Sequence, residues 1–227
     1  MEDGNLMINI LYEDNHLLIV EKPINILVQS DHTQDLDLLT LLKQDLKKRY
    51  NKPGNVYLGL VHRLDRPVGG VMVFAKTSKA ASRLSEQVRT HKLEKVYHAI
   101  VYGKVKEKDQ LHDYLLKDTR TNMVVVDKNG KEAILDYEII NYLPKEDLSL
   151  VKIHLKTGRS HQIRVQFSSR NHPLYGDQRY NKHAKVGEQI ALFASSLSFY
   201  HPITKEKMTF SLLLPTRKPW HLFKNDF

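Results

Sequence analysis

The stretch from Gly59 to Lys76, GLVHRLDRPVGGVMVFAK, sets one acid between two guanidinium groups and then runs into β-forming residues. Asp65 stands between Arg63 and Arg66, Pro67 and two glycines follow, and Val71–Ala75 has the apolar density of a buried strand. The pattern predicts a turn over Pro67–Gly70 that fixes a carboxylate at the start of a core strand. Neighbouring arginines favour an ionised carboxylate. On a rigid element such a group can attack an electrophilic carbon or steady positive charge at a sugar anomeric carbon. Read alone, RLDR fits a structural turn acid paired with Arg63 or Arg66 better than a catalytic one, because turns are rich in Asp.

The flanking sequence supplies further elements. In LYEDNHLLIVEKP, Leu11 and Tyr12 precede a polar turn at Glu13–Asn15, and Leu17–Val20 forms a second strand stopped by Pro23. Leu38, Leu39, Leu41, Leu42 and Leu46 repeat with helical spacing and end in a basic turn. TSKAASRLSEQVRTHK predicts a helix with Ser78 as N-cap. EKVYHAIVYG is a strand ended by Gly103, and MVVVDKNGKEAILDYEII reads as two strands around a turn at Asp127–Gly130. LSLVKIHLKTG is another strand, and RSHQIRVQFSS opens a helix with Ser160 as N-cap. A closing hairpin turns over Pro202–Lys207. Strands and helices mix without a βαβ alternation. The expected class is therefore α+β, with a central mixed, mostly antiparallel sheet, flanking helices and a basic cleft. One domain over residues 1–227 suits the length.

Composition narrows the chemistry. The net charge of +9 raises the weight of a polyanionic partner, and the cations are spread as on a folded surface. There is no cysteine, which removes disulfides and thiolate metal sites. The N-terminus has no signal-peptide core and no window has the length of a membrane helix, so a soluble cytoplasmic protein is expected. Twelve histidines include no HExxH pair, and no metal site is expected. P-loop, dinucleotide and GxSxG patterns are missing.

Two other segments change the weight on Asp65. LKTGRSHQIRVQF ends a strand at a turn that Gly158 is expected to permit, then opens a helix carrying His161, Gln162 and Arg164. Arg164 could pair with a carboxylate from another segment. In KVYHAIVYG, Lys95 and Tyr97 share one strand face. A tyrosine beside a lysine can stack on a nucleobase, although a core tyrosine is the likelier reading of that segment by itself.

Together these segments resemble the RluA-type pseudouridine synthase family. The matching pieces are ILYEDNHLLIVEKP at 10–23, HRLDRPVGGVMVFAK at 62–76, EKVYHAIVYG at 94–103, LKTGRSHQIRVQF at 155–167, HPLYGDQRY at 172–180 and LSFYHPITKEKMTFSLLLP at 197–215. They occur in the family's order and cover roughly residues 9–215. The resemblance implies conversion of uridine in RNA to pseudouridine, with no cofactor and no metal. It makes Asp65 the essential acid, Tyr97 the residue that stacks on the target base and Arg164 the ion-pair partner of the acid. It makes Arg63 the group that fills the gap left by a flipped base. Further substrate contacts are expected from His62, Lys95, His161 and Gln162, with Leu214 as an apolar pocket residue.

The chain departs from the family at HRLDRPVGG, where the pattern is HRLDxxTSG. Val68 and Gly69 replace a Thr and a Ser, so an altered turn is expected. Many relatives carry a small RNA-binding domain ahead of the catalytic one. Here ILYED begins at Ile10, so recognition is expected from the catalytic domain of a monomer, as in compact members acting on tRNA or short rRNA stem-loops. Two rival functions are a non-catalytic RNA-binding protein that kept the fold and a base-releasing glycosidase. The glycosidase requires a second, water-activating acid, and none stands in the motifs.

Overall fold

The computed structural model describes residues 8–30 and 35–226. Residues 1–7, part of the segment in which no signal-peptide core was found, lie outside the described residues. The chain divides into two compact units. The first comprises the sequence up to Leu93 with Leu197–Phe210, and the second comprises Glu94–Ser196 with the sequence from Ser211.

In the first unit β1 (Asn9–Glu13) and β2 (Leu17–Lys22) form the expected antiparallel hairpin. Asp14 Oδ1 closes it by accepting the His16 and Leu17 N–H groups at 2.7 Å each. Strand β2 pairs antiparallel with β4 (Gly69–Ala75), from Leu17 opposite Ala75 to Lys22 opposite Gly70. A two-residue strand, β3 (Gly59–Leu60), also pairs with β4. All seven residues of β4 are buried, as are Leu17–Val20 of β2. Side chains such as these stabilise the fold by roughly 1.5–3 kcal/mol each, so β2 and β4 form a stiff base for the chain that enters β4.

Helix α1 (Leu38–Arg49) buries Leu38, Leu42 and Leu46, one stripe at i, i+4 and i+8. Asp37 caps it, accepting the Thr40 N–H at 3.0 Å. Helix α2 (Ser78–Arg89) begins one residue earlier than expected. Thr77 is its N-cap, and its hydroxyl accepts the Ala80 N–H at 3.2 Å, so Ser78 is the first helical residue.

The second unit is built on β5 (Glu94–Tyr102), β6 (Lys108–Lys117), β7 (Val124–Val126), β8 (Lys131–Leu143) and β9 (Leu148–Leu155). Their order is β5-β9-β8-β6-β7, with every neighbour antiparallel. Strand β6 had no counterpart in the sequence reading, and it changes the partner of β7. The turn at Asp127–Gly130 forms, with the Gly130 N–H on the Asp127 carbonyl at 2.8 Å. Yet β7 and β8 do not pair with each other across it, because β6 lies between them. Gly130 crosses so near β6 that a Cβ there would stand 2.3–2.6 Å from the Leu115 backbone.

Helix α3 (Gln162–Ser168) is a short helix of seven residues. The closing hairpin consists of β10 (Leu192–Tyr200) and β11 (Lys207–Ser211), with a 3-10 turn at Trp220–Phe223 after it. His201 holds the hairpin turn, its Nδ1 accepting the Ile203 and Thr204 N–H groups at 3.2 and 3.0 Å. A bridge between Leu27 and Asp37 is parallel. The α+β class with mostly antiparallel pairing is thus observed. Among the described residues no helix is long and apolar enough to cross a membrane.

Candidate active site

Asp65 is partly buried and lies on the segment that leads into β4. Its carbonyl accepts the Val68 N–H at 3.0 Å, so the turn spans Asp65–Val68. The expected turn over Pro67–Gly70 is displaced toward the N-terminus because Gly69 and Gly70 already belong to the strand. Crowding explains the glycine at 69. A Cβ there would stand 3.1 Å from both the Lys22 carbonyl oxygen and Ile24 Cγ2. Val68 is 2% exposed, so its methyl groups fill apolar space at the position where the family pattern has a hydroxyl.

His62 ties the same segment to the strand, its Nε2 accepting the Val73 N–H at 3.1 Å. Arg63 is exposed, and its Nη2 donates to Gln29 Oε1 at 2.9 Å. Arg66 is paired with Asp35 at 2.7 Å, with both side chains about half exposed. A pair so exposed contributes at most about 1 kcal/mol.

Lys22 was not singled out in the sequence, yet it organises this turn. It is 1% exposed, and its ammonium donates to the carbonyls of Pro23, Arg66 and Val68 at 2.9, 3.0 and 2.7 Å. Burial pushes its pKa down to about 7, while the charge of Asp65 pulls the other way. Two of the three carbonyls belong to the Asp65–Val68 turn, so one buried cation clamps the backbone that carries the acid. The available sequence signal was a lysine closing an otherwise apolar strand just before a proline.

In the second unit Lys95 and Tyr97 lie opposite Leu155 and Ile153 of β9 and share a face, as the alternation predicts. Tyr97 is 7% exposed. Burial lowers the pKa of Lys95. A Cβ on Gly158 would stand 3.0 Å from Lys95 Nζ. Gly158 has no positive φ, so it serves to leave room for the lysine rather than to permit a sharp turn.

Helix α3 is not capped by Ser160. His161 is the N-cap, in the left-handed region at φ 52°, with no side-chain capping bond. Gln162, the first helical residue, ties the helix to the chain before it. Its Oε1 accepts from Thr157 Oγ1 at 2.8 Å and from the Arg159 N–H at 3.0 Å. Its Nε2 donates to the Ile134 carbonyl and to Gln166 Oε1, both at 3.1 Å. Gln162 is 3% exposed, and its amide is bonded on both sides within the fold. His161 Nδ1 lies 2.7 Å from Tyr180 Oη. That hydroxyl accepts the Val124 N–H at 3.0 Å, which leaves its proton for the imidazole.

Arg164 has a partner the sequence reading missed. Its Nε and Nη2 donate to Asp177 Oδ2 and Oδ1 at 2.9 and 2.7 Å, and the two side chains are 7% and 0% exposed. The guanidinium also lies 5.2 Å from the centre of the Tyr180 ring. Removing one partner of a buried pair costs about 3–5 kcal/mol, so Asp177 fixes Arg164 in place. Asp177 follows Gly176, where φ is 70° and a Cβ would stand 2.4 Å from the Gln189 carbonyl oxygen. Leu214 is 7% exposed and packs with Trp220 and Phe223 in the core of this unit, while Leu213 is 92% exposed.

Comparison with known proteins follows the motifs. Residues 16–169 match the family described as RNA pseudouridylate synthase. The chain is 37% identical to an uncharacterized RNA pseudouridine synthase of Aquifex aeolicus, over 93% of this chain and 71% of that one. It is 35% identical to the ribosomal large subunit pseudouridine synthase D of Buchnera aphidicola, over 93% and 70%. It is 33% identical to the tRNA pseudouridine synthase C of Haemophilus ducreyi, over 97% and 96%. The structure of human RNA pseudouridylate synthase domain containing 4 superposes with a TM-score of 0.76 at 22% identity, covering 91% of this chain and 88% of that one, which shows a shared fold.

Proposed function

The chain belongs to the RNA pseudouridylate synthase family and isomerises uridine in RNA to pseudouridine, and we propose that Asp65 is the carboxylate on which that reaction turns. The reaction breaks the bond between uracil N1 and ribose C1′, turns the base and joins C5 to C1′. The proton lost from C5 is balanced by the one gained at N1, so no oxidant or reductant enters. Asp65 acts on the sugar or the base while the glycosidic bond is open. The observation that carries this reading is the clamp beneath the acid. Two carbonyl bonds from Lys22, to Arg66 and Val68, and the His62–Val73 bond hold the Asp65 turn in place beside β2 and β4. A carboxylate so held needs little reorganisation as charge develops.

Family resemblance assigns the other roles. Tyr97 stacks on the target base, and Arg164, oriented by Asp177, supplies the counter-charge. Arg63, exposed on the same segment as Asp65, occupies the place of the extruded base, whose unstacking costs a few kcal/mol. The substrate is a structured tRNA or rRNA. The protein acts on it as a monomer in the cytoplasm.

The test is Asp65→Asn, assayed for pseudouridine on a validated RNA and for RNA binding in parallel. Pseudouridine should fall below detection with binding within about twofold of wild type. Wild-type turnover in the Asn variant would overturn the assignment. A wild-type protein that binds RNA without modifying it would be the non-catalytic alternative, and release of free uracil would mark a glycosidase.

A further inference from the structure

The end of α1 and the loop after it read KKRYNK, residues 47–52, and gather cations around one tyrosine. Lys47, Lys48, Arg49 and Lys52 are exposed, and Tyr50 shows 50% of its surface. Lys76 Nζ, Arg49 Cζ and Lys52 Nζ lie 5.0, 5.3 and 6.0 Å from the centre of the Tyr50 ring. Glu13 orders the group. Its carboxylate accepts from Tyr50 Oη at 2.8 Å and from Lys76 Nζ at 2.6 Å, and it pairs with Arg49 Nη2 at 2.8 Å. Asp45 holds Arg49 Nε at 2.8 Å.

Five cations thus meet two carboxylates, a surplus of three positive charges over the end of α1 and its loop. The helix dipole accounts for Lys47, Lys48 and Arg49 in the last turn of α1. It does not account for Lys52 and Lys76, which lie outside the helix and converge on the same ring. The two carboxylates pair with Arg49 and Lys76, and the charges of Lys47, Lys48 and Lys52 make up the surplus around the ordered ring. Exposed surplus charge beside an ordered, half-exposed aromatic suits a polyphosphate backbone, where released counterions supply the affinity. No residue of this face belongs to the machinery assigned to Asp65.

We propose that this face grips the phosphate backbone of an RNA duplex flanking the uridine to be modified. The contact rests on the reading of the protein as an RNA-modifying enzyme, and it adds a second place where RNA is held. It anchors the stem independently of sequence, while the base is selected elsewhere.

The experiment compares wild type with the triple variant Lys47→Gln, Lys48→Gln, Lys52→Gln. The probe is a blunt RNA duplex of about one helical turn with no loop, titrated across a salt series. The variant should bind about tenfold more weakly, and its log–log salt slope should be shallower by about two to three. On a modifiable RNA its KM should rise with kcat unchanged, and its Tm should stay near wild type. The control is Lys128→Gln, Lys145→Gln, Lys185→Gln, which removes the same charge from exposed positions of the second unit. Equal losses in variant and control, or an unchanged slope in the variant, would overturn the proposal. A lowered Tm with unchanged binding would make the cluster structural only. A wild type that forms no pseudouridine but loses duplex affinity in the variant would sink the enzymatic reading and leave the docking face standing.

Discussion

Lys22 donates its three hydrogen bonds to carbonyls that have no other cation within the described hydrogen bonds, and its pKa of about 7 lies well below that of a free lysine. The sign of the resulting linkage follows from burial. Between about pH 7 and pH 10 the unfolded chain binds a proton at this lysine that the folded chain does not hold fully, so this group makes stability rise with pH. Lys22→Met should remove that rise, which thermal melts between pH 7 and pH 9 would detect. It should also lower kcat more than it raises KM, because the Asp65 turn loses its clamp while binding surfaces remain. A melting curve with the same pH dependence as wild type would refute the role. Asp65, Tyr97 and Arg164 were singled out by their motifs. Lys22 and Asp177 were not, although both lie inside quoted motifs. Their roles depend on which backbone or side chain folds beneath them, since Lys22 reaches Arg66 and Val68 and Asp177 reaches Arg164 from distant positions in the sequence.

Elements followed the same division. Hydrophobic period and turn chemistry gave β1, β2, β4, β5, β9 and all three helices to within a residue or two, because each rests on local pattern. The pairing of β7 did not follow, since a turn specifies a change of direction and not a partner. Nor did β6, whose sequence KDQLHDYLLK alternates polar and apolar residues too loosely to stand out. Helix starts were missed by a residue at Thr77 and His161, where the cap is decided by backbone geometry. Gly130 gives this scale its test. Gly130→Ala would drive a Cβ into the Leu115 backbone, and backbone cannot swing aside as a side chain can. We expect a loss of more than about 2 kcal/mol, read as a lower urea midpoint. A change within about 0.5 kcal/mol would show that the crossing is looser than described.

At the scale of the molecule, a net charge of +9 leaves carboxylates outnumbered by cations. Glu13 and Asp14 both have pKa values below the ordinary range despite partial burial. Lys76, Tyr50 and Arg49 hold Glu13 ionised, and the His16 and Leu17 amides with His201 and Tyr12 do the same for Asp14. A lowered folded pKa gives stability that is present above the unfolded value and lost as pH falls through the folded one. The melting temperature should therefore hold down to about pH 4 and fall below it as these carboxylates protonate. Glu13→Gln should flatten part of that fall. A variant with the wild-type acid limb would assign the loss to other groups.

The first unit recruits Leu197–Phe210, more than a hundred residues beyond Leu93, and this bears on how the protein is made. A ribosome delivers the chain from its N-terminus at about 5–20 residues per second. The segment carrying Asp65 therefore emerges on the order of ten seconds before the hairpin that completes its unit. During that interval β2 and β4 exist without β11, so the nascent chain has to hold the beginnings of one unit unfinished while the larger part of another, Glu94–Ser196, is being made.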